Sequence, residues 1–210
     1  MGELLRQVRE RLTEGDPQSL MIGEECDAFG QQWIDMWMSW SWSALSAAER
    51  VARQRYSLPN TVLAWMVDSE PERASLAFAL GMSLCICVHG NEATLDDVPE
   101  LAEHVGKLAA LKSRTVERTT MARFNDQLGL EIEGDEGFYA YSYDSAAGPA
   151  VIVAAPGGEA AGRVIVDRTA FTGPGSETGE VHRLDGSVEQ MTGDTRDFQL
   201  ATNEVAVWVL

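Results

Sequence analysis

Lysine is nearly missing from this chain. Lys107 and Lys112 are the only two among sixteen basic residues, against thirty-three acids, and the formal net charge is −17. A surface of that sign repels phosphates and anionic headgroups, which argues against nucleic acid and membranes as direct partners. Cysteine is scarce too. Cys26, Cys85 and Cys87 form an odd set, and the last two lie in an apolar segment where buried reduced thiols are usual. No disulfide framework is expected, in keeping with a reducing compartment. Long apolar runs are absent: the best, Ala74 to Val88, falls short of the roughly 20 residues that span a bilayer. Met1 to Glu14 is amphipathic and charged with no apolar run behind it, so it does not read as a signal peptide. These absences together point to the cytoplasm, or to a particle assembled there.

Recognisable cofactor chemistry is missing as well. Pro156-Gly157-Gly158 to Gly162 has the glycine content of a phosphate-cradling loop but no Lys-Ser/Thr ending and no helix behind it. Glu100, Glu103 and His104 lack the Glu-x-x-His spacing of a di-metal bundle. Cys85, Cys87 and His89 would share a face on a strand and diverge on the helix expected there, and no second pair completes a zinc tetrad. No cofactor and no metal site are expected.

What is present is enough apolar residue for a core, 45% of the chain. Leu4, Leu5, Val8 and Leu12 share one face of a helix over residues 3–13, which Gly15-Asp16-Pro17 ends. Phe29, Trp33, Trp37, Trp40 and Ala44 follow helical spacing, so a longer helix is expected from Glu24. Further helices are expected over Asn60–Val67, from Ser69 to about Gly90 and from Asp97 towards Asn125, the last two opened by capping-box patterns. After Gly129 the period changes from 3.6 to 2, and Phe138 to Tyr143 alternates. Ala150–Ala155 and Arg163–Asp167 read as a hairpin, as do Glu180–Leu184 and the strand near Val188 across Asp185-Gly186. Phe198–Ala201 and Val205–Leu210 close the chain as strands. The expected fold class is thus α+β: an N-terminal helical bundle over 1–129, then a mostly antiparallel β-rich part over 130–210, either separate or packed as one unit.

Candidate sites follow from aromatic and acidic clusters. Trp33, Trp37, Trp40 and Trp42, interleaved with Met36 and Met38, have the composition of a docking face or of a tightly filled core. Tyr139, Tyr141 and Tyr143 fall on one strand face, where they would stack on a ligand or cover the helical part. The acidic run Glu24-Glu25-Cys26-Asp27 has the groups to move a proton or hold a hard cation, but its simpler reading is negative charge at a helix N-terminus. No catalytic residue is assigned. Three functions fit, in this order: a non-enzymatic protein that binds, neutralises or chaperones a basic protein partner; a subunit of a homo-oligomeric or viral assembly; and a hydrolase using acidic residues with His104 or His182.

Overall fold

The computed structural model describes residues 2–24, 33–39, 50–55, 61–68, 70–87, 94–120 and 122–210. Two compact units share the chain: Met1–Val67 with Met82–Cys87, and Asp68–Gly81 with Val88–Leu210.

The first unit opens with helix α1 (Gly2–Gly15), followed by strands β1 (Ile22–Glu24), β2 (Met36–Ser39), β3 (Val62–Val67) and β4 (Ser83–Ile86). Residues 50–55 are helical. The strands form one sheet in the order β1-β2-β3-β4, and every pairing in it is parallel. The expected helical bundle is therefore not the fold. Residues 62–67 form a strand rather than a helix, as do residues 36–39 within the tryptophan run and 83–86 at the end of the apolar segment. The physical reason lies in the kind of sheet. A strand buried on both faces, as in parallel sheets, reads as an unbroken apolar run with no alternation. Val62-Leu-Ala-Trp-Met-Val67 is such a run, and periodicity cannot separate it from a turn or two of buried helix. Met36-Trp37-Met38 is likewise apolar without alternation, and the spacing of Trp33, Trp37 and Trp40 then imitates a helix.

Parallel neighbours need a crossover connection. From β3 to β4 the chain runs through helix α2 (Pro71–Ala79), which starts on a proline tolerated in the first turn. Gly81, at φ 66°, takes the left-handed conformation just past the helix, and its N–H donates to the Phe78 carbonyl. Helix and strand thus divide a segment whose composition alone suggests one long helix.

The second unit continues with helices α3 (Pro99–Arg114) and α4 (Val116–Thr119) and strands β5 (Arg123–Phe124), β6 (Leu130–Gly134), β7 (Tyr139–Ser145), β8 (Gly148–Ala154), β9 (Ala160–Val166), β10 (Thr178–Arg183), β11 (Val188–Thr192), β12 (Thr195–Leu200) and β13 (Val205–Val209). One antiparallel sheet has the order β11-β10-β13-β8-β7-β5, a second the order β12-β9-β6. Val151, Val153 and Trp208 of the first sheet and Val164, Phe198 and Leu200 of the second share one buried core, as in a two-layer sandwich. β8 is buried along its whole length because its other face meets helices α2 and α4.

The expected hairpin across Pro156–Gly162 is absent. β8 pairs with β7 and β13, whereas β9 pairs with β6 and β12, so this loop carries the chain from one sheet to the other. Backbone bonds from Ala155 N–H to Glu204 O and from Asn203 N–H to Ala155 O tie the end of β8 to the turn before β13 instead. The β10–β11 hairpin does form. Its turn is a three-residue loop in which Gly186 alone takes positive φ, 96°.

Candidate functional site

Because β1 to β4 run parallel, their C-terminal ends lie along one edge of the sheet: Glu24, Ser39, Val67 and Ile86. Ligands of parallel α/β proteins bind outside this edge, where the strand ends give way to loops. Glu24 is the carboxylate on it. The residue ends β1 and stands in register with Met38 of β2 and, beyond it, Ala64 of β3. Residues in register across a sheet share a face, so an exposed acid stands at the end of a row that runs through Met38 and Ala64 to Ser83 of β4. The helix-dipole reading of Glu24 is corrected here, since the residue ends a strand. Its neighbours in the acidic run, Glu25, Cys26 and Asp27, lie outside the described residues. A carboxylate so placed can donate or accept a proton, or attack an electrophilic carbon.

The tryptophans divide. Trp37 is 4% exposed and shares the covered face of the sheet with Leu63 and Trp65. Trp33 is half-buried, with its indole nitrogen close to Gly2 at the start of α1. Trp40 and Trp42 lie outside the described residues. Of the tyrosines on β7, Tyr139 is half-buried while Tyr141 and Tyr143 are buried. The Tyr143 hydroxyl donates to the Ala79 carbonyl at 2.6 Å, and the Phe124 ring lies 5.8 Å from Tyr141 and 5.5 Å from Tyr143. Burial, with nearby Tyr139 and Asp126, pushes the Tyr141 phenol above its ordinary range.

His104 and His182 sit in the second unit. His104 Nε2 lies 2.8 Å from the Ser75 hydroxyl, a distance that invites comparison with a nucleophile and its base. The hydroxyl, however, donates its only proton to the Asn203 carbonyl at 2.7 Å. The imidazole must then donate from Nε2 to the serine oxygen, and the pair, buried at Ser75 and half-buried at His104, joins α2, α3 and the turn before β13. Burial, then Lys107, lowers the His104 pKa from its ordinary value. His182 Nε2 lies 3.1 Å from Glu180 on the same strand.

Other acids also serve structure. Burial pushes the Asp144 carboxyl up, yet the Thr172 hydroxyl, the Thr172 and Gly173 amides and the Arg123 charge hold it below the usual range, fixing the loop after β9. Asp135, Glu159 and Glu204 line an open cleft of about 530 Å³ on the sandwich. There Asp135 accepts the Ala161 amide, and Glu204 accepts Arg183 and the Ala201 amide. Among the described residues no group of three His, Cys, Asp or Glu side chains could hold a metal ion. Cys85 on β4 and Cys87 just beyond it are free thiols. On this strand their spacing gives them a shared face, and His89 lies outside the described residues. Nor is any described helix long and apolar enough to cross a membrane.

No family model matches the sequence, and no curated protein does. Solved structures do match in fold. An α-amylase from Geobacillus thermoleovorans, complexed with acarbose, superposes with a TM-score of 0.66 at 11% identity, covering 99% of this chain and 57% of that one. A glycoside hydrolase gives 0.56 at 11% identity over 97% of this chain and 60% of its own. A GH30 endoxylanase from Clostridium papyrosolvens C71 gives 0.50 at 10% identity over 98% and 60%. The chain thus spans about 60% of the length of these neighbours. At such identities the likeness is one of fold. It extends over both units, the parallel sheet with its crossovers and the antiparallel sandwich.

Proposed function

We propose that this chain acts on glycosidic bonds, with Glu24 as an acid, base or nucleophile at the C-terminal rim of the parallel sheet. The observation that supports it is the position of that carboxylate, in a chain whose whole length follows the fold of solved glycoside hydrolases. Glycoside hydrolysis needs two carboxyl groups flanking the bond. One protonates the leaving oxygen, and the other either attacks the anomeric carbon or activates a water. Glu24 supplies one of them. The half-buried Met38, in register with Glu24, offers apolar surface to the carbon face of a sugar ring. A net charge of −17 disfavours uronate-rich or sulfated polymers, so the substrate is a neutral glycan. The test is a panel of neutral polysaccharides and aryl glycosides followed by reducing-end release. Hydrolysis of at least one substrate is expected, and a silent panel overturns the reading.

A second reading rests on the charge alone. A non-enzymatic protein that binds a basic partner would use the same −17 surface. Capture of basic proteins that falls steeply with salt, alongside a silent glycan panel, would favour it.

A further inference from the structure

Sulfur is concentrated on one face of the parallel sheet. Cys85 lies on β4 and Cys87 just beyond it, and their spacing puts both side chains on the same side. The helix expected from sequence would have turned them apart. The Cys87 N–H donates to the Val67 carbonyl at 2.9 Å, so the ladder with β3 runs one residue past the strand and keeps Cys87 in the alternation. Met66 of β3 stands in register with Cys85. Met38 of β2 stands in register with Ala64, two residues before Met66, and so faces the same way. Met66 is buried, and both cysteines are half-buried free thiols. All four side chains belong to the first unit.

Strand geometry brings three of these sulfurs within reach of one ion. At a rise of about 3.3 Å per residue the Cα atoms of Cys85 and Cys87 are about 6.6 Å apart, and Met66 stands one strand spacing, about 4.8 Å, from Cys85. Metal–thiolate bonds of about 2.3 Å hold two sulfurs up to about 4.6 Å apart across one ion, so the two cysteine side chains need to converge by about 2 Å. The unbranched Met66 side chain has the rotatable bonds to bring its thioether to the same point.

The donor set decides the ion. Among the described residues no His, Asp or Glu joins the two thiols in a group of three that could hold a metal. Hard divalent cations need oxygen ligands, and structural zinc needs a closed shell of four. Thiolate and thioether donors select copper(I) instead. We propose that Cys85, Cys87 and Met66 form a binding site for copper(I). Each cysteine releases its proton to solvent as its sulfur takes the ion. The site does not depend on which reaction Glu24 performs.

The test is transfer of copper(I), kept reduced by ascorbate under nitrogen, from its coloured bicinchoninate complex to the intact chain. Loss of colour equal to one ion per chain is expected, whereas zinc(II) offered from a coloured indicator should stay with the indicator. Cys26→Ser should leave the uptake unchanged, which separates the pair from the third thiol. Cys85→Ser and Cys87→Ser should each abolish it, with circular dichroism as the check of folding. Met66→Leu, close in volume but without sulfur, should weaken it. If a cysteine variant does not fold, the folded Cys26→Ser chain treated with iodoacetamide takes its place, and blocking its two remaining thiols should abolish the uptake. No transfer to the wild type overturns the proposal, and so does zinc(II) held in place of copper(I). Uptake that survives in a folded Cys85→Ser or Cys87→Ser variant or in the blocked chain, or that Met66→Leu leaves unchanged, overturns it as well.

Discussion

At Glu24 the backbone leaves β1 and the side chain stands at the rim in register with Met38, so its position is set by strand pairing rather than by a loop. A similar economy shows at Ser75, whose hydroxyl joins His104 to the Asn203 carbonyl. Ser75→Ala leaves that carbonyl and the imidazole N–H without their partner in a part-buried place and should cost about 1 kcal/mol, read by denaturant unfolding. His104 also carries a pH dependence. Its folded pKa lies below the ordinary 6.5 because burial disfavours the cation and Lys107 repels it. The neutral ring is therefore the stabilising form. That stability is full above the ordinary value and is lost as the pH falls through it towards the lowered one. The Tm should drop between about pH 7.5 and pH 5, and His104→Gln should flatten the drop. An identical slope in the variant would assign the effect to other groups.

Among the elements, the sandwich was the more legible in sequence and the parallel sheet the less. β7 announces itself by alternation, and β13 by the valine-aromatic run at Val205–Val209. The β10–β11 turn is marked by Asp185-Gly186. β7 alternates in sequence although both its faces are buried, β13 is rich in β-branched residues, and the β10–β11 pair is bounded by turn chemistry, each of which leaves a visible trace. β3 leaves none, because burial on both faces erases the alternation, and β4 is only four residues long at the end of an apolar segment, so their runs imitate helix. The misreading reached the site. The acidic run at Glu24 resembles a helix start because the strand it ends is only three residues long and shows no period. β13 is the load the sandwich rests on, lying between β10 and β8 with Trp208 fully buried. Trp208→Ala should cost about 3–5 kcal/mol in unfolding free energy. On the strand beside it, a Cβ at Gly179 would lie 2.3 Å from the Val209 carbonyl oxygen and 3.1 Å from the Trp208 indole nitrogen. Gly179→Ala should therefore destabilise by about 1–3 kcal/mol although it adds a single methyl group, and a thermal melt matching the wild type would contradict this packing.

For the whole molecule, charge and architecture constrain function jointly. Acids outnumber bases by fourteen to four after residue 129, so the sandwich carries more of the negative charge than its length would suggest. That bias is plain in the sequence. The parallel sheet with an acid at its rim was not, and it is what turns the reading from a binding protein towards a hydrolase. The central claim is that Glu24 does chemistry on a neutral glycan. The most direct measurement compares the rate of glycoside hydrolysis by the wild type with that of Glu24→Gln, a change that keeps the shape and removes the ionisable group. The account predicts a fall of about 10²–10⁴-fold with an unchanged thermal melt. A variant that hydrolyses the same substrate at the wild-type rate would contradict it.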